Sequence, residues 1–139
     1  MATPHENRPT TVTHLSGMSF AAEVRGHRVV VDQPLKVGGG DSAPTPIELL
    51  TMSLGCCIAF YVQQFCRSRS LPYQGMQVEV VPHSISGRID RFAVRVVMPD
   101  PLPPHVTELL ERVARSCPAH ATLTHPAEIA IGIEIPVGA

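Results

Sequence analysis

The spacing of hydrophobic and polar positions changes character several times along the chain, and each change marks an element. Thr10 to Val31 carries Thr, Val, Phe and Met at recurring positions, a strand pattern with a turn expected at Arg25-Gly26-His27. Gln33 to Pro46 is expected to be a loop, because Pro34, Gly38-Gly39-Gly40, Asp41, Pro44 and Pro46 leave no room for regular structure. A helix follows. Thr45 is a good N-cap, Pro46 suits the first helical position and Glu48 completes a Thr-x-x-Glu capping box. It should run to about Ser68, ending ahead of Leu71-Pro72, with apolar residues wrapped nearly all round it.

Two alternating segments, Met76 to Pro82 and Phe92 to Met98, read as strands joined by a turn through Ser84-Ile85-Ser86-Gly87. Pro99, Pro101, Pro103 and Pro104 then space out a second helix, His105 to about Ser116. Cys117-Pro118 repeats the cap-then-proline order and opens a helical turn through Leu123. Ile129, Ile131, Ile133 and Ile135 fall on one face of an expected closing strand. Strands, long helix, two strands, helix and strand make an α+β domain rather than a doubly wound sheet. No linker divides residues 1–139, so one domain is expected, with about residues 1–14 a flexible N-terminal segment. So small a sheet covers an all-round apolar helix poorly, which points to an obligate homodimer.

Composition narrows the function classes. The formal net charge is -1, with no acidic or basic block, which argues against nucleic acid or an anionic membrane as partner. The apolar stretch Ile47 to Cys66 contains Glu48, Gln63 and Gln64 and follows two prolines, so it reads as a core helix rather than a membrane span. The first ten residues lack a signal-peptide core, and a cytoplasmic location is expected. Of four cysteines, Cys56, Cys57 and Cys66 crowd onto one helix and Cys117 stands apart, a distribution unlike a secreted disulfide framework.

Among groups that could do chemistry, Cys117 has the best local case. As a helix cap its sulfur would face free N–H groups that favour thiolate, with Arg112 and Arg115 one turn back. A small, unreactive cap explains the same residues equally well. Cys57, mid-helix, reads locally as core, because apolar burial raises a thiol pKa. A cation from elsewhere would have to reach it, and Arg25 and Arg28 beside the early turn are the sources. Gly38-Gly39-Gly40 lacks the Lys-Ser/Thr ending of a phosphate loop. Cys117, His120 and His125 show no zinc-ligand spacing, so no metal is expected.

Two motifs then carry a resemblance. Thr45-Pro46-Ile47-Glu48-Leu49-Leu50, leading to Gly55-Cys56-Cys57, resembles the T-P-x-E-L-L…G-x-C signature of the OsmC/Ohr family, the osmotically inducible and organic hydroperoxide resistance proteins. Cys117-Pro118-Ala119-His120-Ala121-Thr122-Leu123 is similar to that family's second motif, C-P-V-H-x-T-L. His27 to Asp32 and the glycine-rich loop are similar too, so the resemblance covers nearly the whole chain from about residue 15.

It implies an OsmC-like fold in which strands wrap two central helices of an intertwined homodimer, with active sites at the dimer interface. It also implies reduction of organic hydroperoxides, and of hydrogen peroxide, in oxidative-stress defence. Cys57 becomes the peroxidatic cysteine and Cys117 the resolving one. Arg25 or Arg28 would stabilise the thiolate and Glu48 would orient that arginine. No cofactor is implied beyond an external dithiol such as dihydrolipoamide or a lipoyl protein. The chain departs from the organic hydroperoxide branch in two places. Ile47 separates Pro46 from Glu48, and the arginine loop lacks Gly-Gly-Arg. These departures leave room for a non-catalytic relative that holds a lipid-like or thiol ligand in an apolar pocket.

Overall fold

The computed structural model describes residues 8–138. The chain forms two compact units, Met1–Met52 and Ser53–Ala139, and the division falls within the long helix. The first unit holds a three-stranded antiparallel sheet of β1 (Thr11–Ser16), β2 (Ser19–Val24) and β3 (His27–Val31), in the order β1-β2-β3. β1 begins inside the N-terminal stretch expected to be flexible, and residues 1–7 of that stretch lie outside the described residues.

The strand pattern expected over Thr10–Val31, with its one turn at Arg25-Gly26-His27, is three strands, because Gly17 makes a second turn at φ 54°. The β2–β3 turn is the one expected. Arg25 and Gly26 sit between paired Val24 and His27 with φ of 51° and 81°. Positive φ at both centres matches the right-handed twist of the flanking strands and accounts for Gly26.

The loop after β3 is organised by a buried carboxylate. Asp32 accepts hydrogen bonds from the N–H of Gln33 (2.8 Å), Gly40 (3.1 Å) and Ser42 (3.1 Å), and from the Ser42 hydroxyl (2.7 Å). Leu35–Val37 makes a short 3₁₀ turn inside it. Gly39 is compulsory, since a Cβ there would lie 1.9 Å from the Gln33 carbonyl oxygen. The loop delivers the chain to α1 (Pro46–Ser68), whose start is the expected capping box. The Glu48 N–H donates to Thr45 Oγ1, and the Thr45 N–H donates to Glu48 Oε1, both at 3.1 Å.

In the second unit, β4 (Gln77–Ile85) and β5 (Arg88–Val97) form an antiparallel hairpin. Its turn, Ser86-Gly87, again has positive φ at both residues. Two helices follow, α2 (Pro104–Arg115) and α3 (Pro118–Thr124). The core is a row along α1 at successive four-residue steps, Leu54, Ile58, Val62 and Cys66, packed with Val106 and Leu110 of α2 and with Cys117. Gly55 keeps this side of α1 close to the hairpin, since a Cβ there would sit 3.2 Å from Val80 Cγ2.

The all-round apolar character of α1 is met on one side only. Ile47, Met52 and Phe60 remain about half exposed in the single chain. By length and composition alone, α1 could cross a membrane.

The expected closing strand is corrected. Residues 126–138 form no strand, and Ile129, Ile131, Ile133 and Ile135 are 80–85% exposed. Alternation marks a face for burial, but a ladder also needs a second strand to receive its backbone groups, and among the described residues this chain supplies none to that segment. The architecture is α+β, with three helices and two small sheets.

Candidate active site

The second unit brings Cys57 of α1 and Cys117 together. Cys57 packs against the buried cluster that contains Cys117, Cys57 acts on the Cys117 thiol, and both cysteines are free. The core row explains how. Cys57 precedes Ile58 on α1, at the margin of the face that buries Leu54, Ile58 and Val62, and is itself half-buried. Cys117 is the N-cap of α3, and its sulfur accepts the His120 N–H at 3.3 Å. Pro118 at the first helical position leaves one fewer N–H to satisfy.

The cap geometry expected for Cys117 is therefore present, and of the two local readings its electrostatics run against the thiolate. Cys117 is fully buried, and burial pushes its thiol up. The His120 N–H pulls the other way, while neighbouring Cys57 pushes it up further. The same burial effect raises Cys66, which sits inside the core and packs rather than reacts. Cys56, one position from Cys57, is exposed.

The other site candidates belong to the first unit. Arg25 occupies the left-handed corner of the β2–β3 turn. Arg28 Nε lies 3.5 Å from Glu23 Oε1, its direct cross-strand neighbour, in an exposed pair. Glu48 uses Oε1 in the capping box and makes no further side-chain bond through Oε2 among the described residues.

A cleft of about 710 Å³ opens in the second unit between β5 and α2. Ile58, Phe92 and Leu110 give it an apolar floor, and Glu111, Arg115 and His120 bring polar groups to it. Ile58 follows Cys57 in sequence, and His120 is the residue whose N–H caps Cys117. No cluster able to hold a metal ion occurs among the described residues.

The family model for OsmC-like protein matches residues 38–132, a span that includes both cysteines and the capping box. The chain belongs to the OsmC-like family. Solved structures agree on the fold. An OsmC-like protein from Mycoplasma pneumoniae superposes with a TM-score of 0.72 at 14% identity, over 88% of this chain and 90% of that one. An organic hydroperoxide resistance protein OsmC from Legionella pneumophila gives 0.58 at 16% identity, covering 87% and 91%. One named organic hydroperoxide resistance protein, from Elizabethkingia anophelis, gives 0.59 at 20%, covering 88% and 91%. No curated protein sequence matches the chain.

Within this OsmC-like chain, sequence reasoning missed two features. Asp32 stood in the expected motif region without a role, yet it organises the loop that leads to α1. An acid set just ahead of a triple glycine was its signal. The cleft went unseen because Phe92, Leu110 and His120 come from three elements whose proximity no local pattern encodes.

Proposed function

We propose that this OsmC-like protein is a thiol-dependent peroxidase that reduces organic hydroperoxides, with Cys57 as the attacking thiol and Cys117 as the resolver. The observation that carries this reading is the packing of Cys57 against the buried cluster that contains Cys117, with both thiols free and Cys57 the less buried of the two. The hydroperoxide-resistance names of structural neighbours agree with it.

Chemically, the Cys57 thiolate attacks the O–O bond, and the cleaved peroxide leaves as an alcohol after taking up a proton. Cys57 becomes a sulfenic acid. The Cys117 thiol then displaces the sulfenic hydroxyl, forming the Cys57–Cys117 disulfide and releasing water. A dithiol such as dihydrolipoamide, free or on a lipoyl protein, restores both thiols by exchange, giving up two electrons and becoming a disulfide itself. Arg25 or Arg28 is the cation this reading assigns to the Cys57 thiolate, with Glu48 assigned to orient that arginine. The exposed apolar side of α1 and the uncovered isoleucines support a homodimer. A cytoplasmic setting would keep the thiols reduced.

Purified protein should consume cumene hydroperoxide with dihydrolipoamide or dithiothreitol, and Cys57→Ser should abolish turnover. Wild-type protein that leaves the hydroperoxide untouched with both reductants would refute the proposal.

A second reading, a non-catalytic binding protein, is favoured by the 710 Å³ cleft and by the engagement of Arg28 with Glu23. It predicts a ligand retained through purification, with binding unchanged in Cys57→Ala.

A further inference from the structure

Two parts of the second unit stand open, and each has what the other lacks. The first is the outer edge of β5. β4 and β5 pair only with each other, so each keeps a row of backbone N–H and C=O groups outside any ladder. On β4 that row is broken by Pro82, whereas β5 carries no proline from Arg88 to Val97. The 710 Å³ cleft runs along β5, where Phe92, Val94 and Val96 line it and α2 faces them.

The second open part is residues 126–138. They join no ladder, and Ile129, Ile131, Ile133 and Ile135 are 80–85% exposed. Isoleucines on one side, with Ala130, Gly132 and Glu134 on the other, make a strand that has one face to bury. The chain leaves its own cleft unfilled by this segment, although both belong to the same unit.

We propose that the cleft is the seat of the Ile129–Ile135 segment of a second copy, which adds to the outer edge of β5 as a third strand. The exchange is reciprocal about a two-fold axis, so both copies are closed by it. A second copy is favoured over a return of the chain's own segment by the remaining apolar surface. Phe60, Val81 and Ile85 are also about half exposed, more than one returning strand would cover.

Charge sets the register. On the outer face of the hairpin, Arg95 is held by Glu79 at 2.7 Å, while Arg91 lies against His83 at 3.1 Å and has no carboxylate on it. Glu134 is the one charged residue between Ile129 and Ile135. Set opposite Arg91 in an antiparallel pairing, it brings Gly132 opposite Ala93 and Ala130 opposite Arg95. Ile133, Ile131 and Ile129 then stand beside Phe92, Val94 and Val96, the three apolar residues of β5 that line the cleft. A parallel run with the same ion pair would carry Ala130 to Gly87, beyond the end of β5. The proposal rests on the homodimer of the function proposed above and needs no thiol chemistry. It gives the cleft a protein occupant in place of a small ligand.

The test is disulfide trapping between chains of two masses, all in a Cys56→Ser background. One chain carries Gly132→Cys and the other Ala93→Cys. Directly opposed residues fall within the Cα separation, about 4.4–6.8 Å, that a disulfide needs. Oxidation should join the unlike chains, with the bond mapped to these two positions by peptide mass. Gly132→Cys against Val97→Cys, well out of register, should give almost none. Equal trapping at both positions, no trapping, or a bond closed within one chain when it carries Gly132→Cys and Ala93→Cys together would overturn the proposal.

A charge swap reads the ion pair. Glu134→Arg should weaken association about threefold, and Arg91→Glu added to it should restore the loss. A swap that restores nothing overturns the register. Ile131→Asp with Ile133→Asp leaves the described core intact, and light scattering should find a 15.0 kDa monomer where wild type is a dimer. Its uncovered cleft should take up an anilinonaphthalene sulfonate dye that wild type excludes. A monomeric wild type, a dimeric double variant, or equal dye uptake by both would also overturn the assignment. Every arm reads assembly and none consumes peroxide, so loss of this proposal and loss of the peroxidase reading are separate results.

Discussion

The starts of α1 and α3 share a layout: a capping residue, a proline, a small or apolar residue, and a fourth residue whose N–H returns to the cap. At Thr45 the cap is an oxygen at an open surface, and Glu48 reciprocates. At Cys117 the cap is a sulfur with no exposure, and the His120 side chain lines a cleft. The first arrangement closes a helix end and is complete in itself. The second uses the same backbone geometry to hold a sulfur inside a core. Local layout decides that a helix begins; burial decides what its cap can do.

The lead-in to the first cap should break hardest. Gly39→Ala forces a Cβ into the Gln33 carbonyl, and urea unfolding should show a loss of more than about 3 kcal/mol; a loss below about 1 kcal/mol would mean the loop re-forms around the methyl.

The caps themselves come next. Cys117→Ala should cost about 2 kcal/mol, because it removes both a cap and core volume. Thr45→Ala should cost about 1 kcal/mol. Equal losses would show that burial does not separate the two.

Acid sharpens the contrast differently. The Ser42 hydroxyl foremost, then the Gln33 and Ser42 N–H groups, hold the Asp32 carboxyl below its usual 3.8. A depressed carboxyl stabilises the fold above its unfolded value and loses that contribution as pH falls through the folded one. Thermal unfolding followed from about pH 5 to about pH 3 should therefore fall more steeply in wild type than in Asp32→Asn. Parallel curves would remove Asp32 from the account.

Smallest in stability is Glu48→Gln, since glutamine also completes a capping box. The change should stay under about 0.5 kcal/mol, while hydroperoxide kcat/KM drops about tenfold if Oε2 orients an arginine. Unchanged kinetics would confine Glu48 to the cap.

The bounds of α1 were legible because Thr45, Pro46 and Glu48 act within one turn of each other. The turns at Arg25-Gly26 and Ser86-Gly87 were legible for the same reason. Gly17 passed unnoticed inside a run of strand formers. The pairing of Cys57 with Cys117 came from motif resemblance, not from local physics, which favoured Cys117 as the thiolate. Cap geometry can be read from neighbours in sequence, whereas the burial that outweighs it comes from Val106, Leu110 and the α1 row, distant in the chain. Asp32 was illegible because its partners lie across a loop. The closing strand was over-read, since alternation at Ile129–Ile135 carries no information about what receives it.

That last segment also bears on the life of the newly made chain. A row of β-branched residues with open backbone groups and a single charge, Glu134, among them is the composition that seeds cross-β association. Pro136 stands at its end, where it can block extension of a growing sheet. The yield of usable protein then depends on a race between covering these isoleucines and nucleating aggregates, a race set by chain concentration during synthesis rather than by the stability of the helical core.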